Sequence, residues 1–367
     1  MVARDSAVEA EIRAILDQYE LGRLLGFERN RRGFVNTSYA LETEIEGQRR
    51  KYFLRRYKRG TGLAEIQFEH SIILHLLSKG FQRVAPVIAA RSGETYVRRP
   101  QAEGTGEAYY AVFEFLSGED RYTWNDPHCT SAEITEAASV LAEFHHAVSD
   151  LAPKGSKAEP GILDLLGVIP GNLEASLRAG KNPLVERYLA VHAAGLQAHI
   201  QRTIAALTEF ACQSCPRIVI HCDFHPGNLQ FSGSRVSALF DFDWSKVDLR
   251  CFDLGLALFY FFASWEAQDG RLRLDQVRLF LQCYQSALAG KAGLGALGPH
   301  ELRCLPAMIQ AGNLYVLNWA LLDHIHKAVD PAEYLVYLRH GVNTLYELEQ
   351  PVAQAALHSL MTEIDGY

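Results

Sequence analysis

Long hydrophobic runs, a basic charge excess and a paired cysteine framework are all missing from this sequence. Its most apolar stretch, residues 254–263, is far shorter than the ~20 residues that cross a bilayer. It reads as a buried core helix, and no membrane partner is expected. Lys and Arg number 36 against 43 Asp and Glu, a formal charge of −7. That balance speaks against nucleic acid or an anionic lipid surface as the main partner. The seven cysteines are an odd number, and Met1 to Ser6 runs into a polar, helix-like segment instead of a secretory signal. Reduced thiols and a cytoplasmic location are therefore expected. Cys212 and Cys215 have CxxC spacing but stand alone. A zinc site needs a second ligand pair, and a thioredoxin-like site needs a βαβ context, so neither role is expected of them. There is no internal repeat and no long low-complexity segment.

What is present fits a soluble globular protein of 367 residues, 48% hydrophobic and 22% charged, with length for about two domains. The first 117 residues read as strand-rich. Residues 40–45 and 49–55 form a predicted hairpin around Gly47, and residues 84–89 and 109–115 are further predicted strands. Between them, Ile66, Phe68, Ile72, Ile73, Leu76 and Leu77 recur at helical spacing, and Gly80 ends the helix. From residue 118 the pattern turns helical: 131–148, 184–210, 274–288 and 302–325. Short strands are expected only at 217–220, 229–231 and 236–240. Residues 153–160 read as a surface loop. The fold class is thus α+β, a small β-rich lobe (1–117) before a larger, mostly helical one (118–367).

The chemistry concentrates in His221-Cys222-Asp223-Phe224-His225-Pro226-Gly227-Asn228, placed directly after an apolar strand. A hairpin of residues 229–240 would return the chain at Asp241-Phe242-Asp243, close to Asn228. Two carboxylates and an amide oxygen then converge, a hard-oxygen set that suits Mg²⁺ together with substrate phosphates. A zinc site on His221 and His225 would want helical i, i+4 geometry, which Pro226-Gly227 opposes.

These residues resemble the catalytic loop H-R-D-L-K-P-E-N of protein kinases, and Asp241-Phe242-Asp243 resembles its D-F-G element. The likeness is closer still to the small-molecule kinases of the aminoglycoside phosphotransferase superfamily, whose loop reads H-G-D-x-H-P-x-N and is followed, as here at Asp253-Leu254, by D-L. The resemblance implies a bilobal protein-kinase-like fold with ATP and Mg²⁺ as cofactors. It implies Asp223 as catalytic base, His225 as a phosphate-contacting donor, Asn228 and Asp241 as metal ligands, and His221 as scaffolding. In the first lobe, no Lys occupies the position of the phosphate-binding Lys, and Arg55 or its neighbour Arg56 replaces it. Glu69 resembles the Glu that pairs with this cation. Gly33 and Asn36 resemble a short G-x-x-N phosphate loop in place of G-x-G-x-x-G. Glu114 and Phe115 fall where the hinge would meet adenine.

The function implied is ATP-dependent transfer of the γ-phosphoryl group to a hydroxyl of a small acceptor, such as an amino alcohol, homoserine or an aminoglycoside. Asp248, Glu266 and Asp269, with Trp244 and Trp265, are candidates to shape a pocket for an amine. Two alternatives are a pseudokinase that binds nucleotide without turnover and an atypical protein kinase. Nothing after Asp241 resembles a long activation segment.

Overall fold

The computed structural model describes residues 2–30, 36–101, 106–125, 127–266 and 268–366. They fold as α+β, with the sheet at the amino-terminal end and helices thereafter, as expected. Two compact units are distinguished. The first comprises Met1–Gly118 with two short later segments, Ala152–Lys157 and Ser237–Phe240. The second holds the rest.

The first unit contains α1 (Val2–Leu16), β1 (Arg23–Asn30), β2 (Thr37–Ile45), β3 (Gln48–Arg56), α2 (Leu63–Ser78), β4 (Val97–Pro100) and β5 (Glu107–Glu114). Its five strands form an antiparallel sheet in the order β1-β2-β3-β5-β4. The β2–β3 turn places Glu46 and Gly47 both at positive φ, 51° and 76°, the twist that a tight two-residue hairpin requires. Strand alternation sorts the side chains. Leu41, Tyr52, Leu54, Tyr110 and Val112 pack with Ile12, Ile15 and Leu16 of α1 into one core. Arg55 and Phe113 lie on the opposite face.

Residues 84–89 do not form a strand. Val87 makes a single bridge to Phe113, Ile88 N donates to Val112 O and Glu114 N donates to Pro86 O. Pro86 has no N–H with which to continue a ladder. Residues 153–160 form a surface loop, as expected, anchored at two points. Lys154 N donates to Ser71 Oγ at 3.1 Å and Ser156 N to Ala64 O at 3.1 Å, fastening the segment along α2.

The second unit contains α3 (Ser131–Ala147), α4 (Ile162–Leu177), α5 (Pro183–Glu209), β6 (Arg217–Ile220), β7 (Leu229–Ser232), β8 (Arg235–Leu239, shared with the first unit), β9 (Lys246–Leu249), α6 (Arg250–Phe262), α7 (Leu274–Leu288), α8 (Pro299–His326), α9 (Pro331–Leu348) and α10 (Pro351–Asp365). α3 opens on a reciprocal cap, in which Thr130 Oγ1 accepts from Glu133 N and Glu133 Oε2 accepts from Thr130 N. α6 is buried along its whole length, as its composition predicts. It crosses α8 with the backbones nearly touching. A Cβ on Gly255 would meet Met308 C at 2.6 Å, and one on Gly312 would meet Leu256 Cα at 2.8 Å. Only glycine permits that approach.

Candidate active site

β6 delivers the chain into the loop 221–228, and the register of β6 against β9 fixes what lies beside it. Ile220 pairs with Lys246, so the DFD turn immediately before β9 is drawn alongside the loop. Ser245 Oγ donates to His221 O at 3.4 Å, and the His221 and Phe242 rings are 5.0 Å apart. The sequence reading anticipated the β7–β8 hairpin but missed β9, a four-residue strand starting on the charged Lys246.

Asp223 is held from three sides. Asn228 Nδ2 donates to its Oδ2 and to its backbone O, each at 2.8 Å, and Tyr260 Oη donates to its Oδ1 at 3.2 Å. His225 Nδ1 accepts from Gly227 N at 3.0 Å, which leaves the ring hydrogen on Nε2, 3.5 Å from Asp223 Oδ2. Burial acts to raise the Asp223 pKa. The facing His225, then His221 and the Asn228 hydrogen bond, outweigh it and hold the carboxyl below the usual range. Asp223 is therefore an ionised carboxylate at neutral pH with its hydrogen-bond partners already in place.

Two backbone positions in this region are forced. Cys222 and Asp241 have φ of 62° and 63°, left-handed values that non-glycine residues seldom adopt. One immediately precedes the candidate base and the other is a candidate metal ligand, the kind of place where such strain collects. Asp253 fixes the first. Its Oδ2 and Oδ1 accept from His221 N and Cys222 N, each at 2.8 Å. His145 Nε2 donates to the same carboxylate at 2.9 Å, and its Nδ1 accepts from Tyr284 Oη at 2.7 Å. Burial lowers the His145 pKa, opposed by Asp253, so the ring stays neutral. His221 packs among Phe144, Phe224 and Phe242, in keeping with a scaffolding role.

The two oxygen donors suit a hard cation. With Nδ2 of Asn228 committed to Asp223, its Oδ1 is the atom left to ligate, and Asp241 supplies a carboxylate at the turn.

In the first unit, Arg55 Nη1 donates to Glu69 Oε1 at 2.7 Å, both side chains largely buried. Arg56 turns the other way, 3.5 Å from Glu11 and over the Tyr110 ring. The structure thus separates the two arginines that spacing left open. Glu69 is further held by a relay. Thr95 Oγ1 donates to His70 Nδ1, His70 Nε2 to Tyr57 Oη, and Tyr57 Oη to Glu69 Oε2, at 2.7, 2.9 and 2.9 Å. Burial, with the Arg55 charge, lowers the His70 pKa to about 3, so the ring is neutral. Asn36 Oδ1 accepts from Lys58 N at 2.9 Å. Gly33 lies outside the described residues. Glu114 ends β5 opposite Tyr52, and Phe115 follows it, 42% exposed beneath the Lys51 ammonium.

Sequence reasoning named Trp265 as a pocket candidate but missed Tyr260 and Trp124. Tyr260, within α6, contacts Trp124, which in turn contacts Trp265 and Tyr337. Its position inside α6's apolar run disguised it as core. Several residues suggested for an amine pocket have partners of their own. Asp248 is fully buried and accepts from Ile162 N at 2.7 Å, starting α4. Trp244 packs on Trp319. Asp269 is taken by His340 and Asn343.

A sheet-bearing amino-terminal unit and a helical unit carrying an aspartate–asparagine loop define a protein-kinase-like small-molecule kinase. The chain belongs to the APH phosphotransferase enzyme family, whose model matches residues 26–288. It is 28% identical to a homoserine kinase of Parvibaculum lavamentivorans over 90% of this chain and 93% of that one. It is 30% identical to one of Afipia carboxidovorans over 91% and 93%. An amicoumacin kinase solved in complex with AMP-PNP, Ca²⁺ and Ami superposes with a TM-score of 0.60 at 16% identity, over 99% of this chain and 93% of that one. The protein is a kinase that transfers phosphate to an alcohol. No helix among the described residues is long and apolar enough to cross a membrane.

Proposed function

We propose that the chain is an ATP- and Mg²⁺-dependent kinase whose acceptor is homoserine or a closely similar amino-acid alcohol. The observation that carries it is the Asp223 carboxylate, ionised and oriented by Asn228, Tyr260 and His225. Asp223 accepts the proton of the acceptor hydroxyl as that oxygen attacks, so general-base and positioning effects act together. His225 Nε2–H donates to the phosphoryl group in transfer. Asn228 and Asp241 hold Mg²⁺, which when bound neutralises charge on the phosphate oxygens. Arg55, kept in place by Glu69, binds nucleotide phosphate through its guanidinium. Glu114 and Phe115 serve the adenine, with Asn36 and Gly33 in the phosphate loop. The two units serve as ATP-clamping and acceptor lobes. Trp124, Tyr260 and Trp265 wall the acceptor.

Homoserine is favoured because the homoserine kinases above align over nearly the whole of both chains. The test is phosphoryl transfer from labelled ATP to L-homoserine, choline, ethanolamine and an aminoglycoside. L-homoserine should show the highest kcat/KM. A higher value for any other acceptor overturns the acceptor assignment, and ATP binding without turnover on any acceptor overturns the catalytic one.

A further inference from the structure

We propose that Cys212, Cys215, His300 and Cys304 form a binding site for a thiolate-seeking divalent cation of the zinc class. Cys212 and Cys215 stand on the single helical turn that follows α5, with the strand β6 beginning two residues later. In the sequence this CxxC pair had no second pair to complete it. The fold supplies one. His300 and Cys304 are four apart at the start of α8, hence on one helix face. The candidate ligand atoms of Cys215, His300 and Cys304 all lie within 4.8 Å of one another. Cys212 opens the same short turn three residues before Cys215, which makes it the fourth candidate ligand.

The Cys215 and Cys304 sulfurs are 3.8 Å apart. A tetrahedral ion with Zn–S bonds near 2.3 Å has S–S edges of about 3.8 Å, so the sulfurs already stand at the spacing of two ligands. All seven cysteines are free thiols. The CxxC pair follows α5 and opens only a single turn, so it lacks the N-terminus of a full helix that lowers thiol pKa in redox pairs. The three sulfurs are buried, whereas His300 is partly exposed and closes the outer side, giving an ion a way in. Ser214 Oγ stands 3.0 Å from His300 Nε2 and steadies the ring, as outer partners of metal-bound histidines do. A bound ion would clip the α5–β6 turn to α8. β6 runs directly into the catalytic loop, so the clip would brace the base of the site without taking part in the reaction.

The experiment uses the full chain, purified without a histidine tag. Elemental analysis by mass spectrometry should find about one zinc per chain. After chelator treatment, added Co²⁺ should produce a thiolate-to-cobalt charge-transfer absorption that Zn²⁺ then abolishes. Cys304→Ser should weaken metal retention by about tenfold or more. Because that variant disturbs a buried position, His300→Ala serves as the second. It should keep the wild-type circular dichroism spectrum and likewise bind metal more weakly, while Cys283→Ser, outside the cluster, should retain it. Absence of both zinc and the cobalt band overturns the proposal. So does undiminished metal binding in both His300→Ala and Cys304→Ser, or a disulfide among these cysteines in the unreduced protein.

Discussion

The two units solve one problem with different materials. Each contains a buried neutral histidine that holds a carboxylate. In the first, His70 acts through Tyr57 on Glu69, and Glu69 faces the Arg55 guanidinium. In the second, His145 bonds Asp253 directly, and Asp253 faces two backbone N–H groups of the loop 221–228. The first arrangement aims a cation and the second shapes a stretch of backbone. A buried carboxylate bound only to neutral donors depends on all of them, since each unmet group costs its full desolvation. One paired with a cation keeps a larger share of its stabilisation in that single contact. Loss of Asp253 should therefore spoil the fold of the loop, whereas loss of Glu69 should chiefly loosen Arg55.

The largest effect tests what the Asp253 anchor serves. Asp223→Asn should lower kcat by about 10²–10⁴-fold, the usual worth of a positioned base, with Tm nearly unchanged. Turnover within a few-fold of wild type would end its assignment as base. Next is the anchor. Asp253→Asn leaves its two backbone donors facing an amide, and should cost roughly 2–4 kcal/mol by denaturant unfolding. An unchanged midpoint would mean that the loop holds its left-handed turn at Cys222 by other means.

The third prediction concerns pH and the first unit's relay. His70 titrates at about 3 in the fold, against 6.5 ordinarily. The unfolded chain therefore takes up the proton first as pH falls. The stability from keeping His70 neutral is complete above about pH 6.5 and is lost progressively toward pH 3, reaching a loss of about 2–3 kcal/mol near pH 4.5. His70→Gln should flatten the fall of Tm between about pH 7 and pH 4.5. A slope equal to wild type would show that His70 does not report on this unit. The smallest effect is Tyr260→Phe. It removes one hydrogen bond to Asp223 and should reduce kcat/KM by about five- to tenfold, near 1 kcal/mol. An equal fall in kcat and kcat/KM, with KM unchanged, would place Tyr260 in the chemistry and not in holding the acceptor.

Much of this was legible before any coordinates. Spacing placed Asp223, His225 and Asn228 in one loop, because residues within eight positions after a strand have little room to separate. The helices 131–148, 184–210 and 274–288 were read within a residue or two of their observed ends, since each carries a full apolar stripe. α4 was not, because Gly167, Pro170 and Gly171 interrupt its pattern and its cap, Asp248, comes from another part of the chain. β9 escaped for a related reason, being four residues long and beginning on Lys246. Tyr260 could not be told from the apolar run around it, since helical period alone does not say which buried side turns toward a polar loop.

The α+β order of elements, and a loop that resembles the kinase loop in its acid and amide residues, could be read from the sequence, since both are local properties of spacing and side-chain type. Tertiary structure decided the rest. It paired Arg55 with Glu69 and set Arg56 beside Glu11, because strand alternation gives the two arginines opposite faces. It made Asp253 the loop's anchor and brought His300 and Cys304 to Cys215, far away in sequence. Contacts between distant segments depend on how helices and strands pack, and one-dimensional spacing does not contain that information.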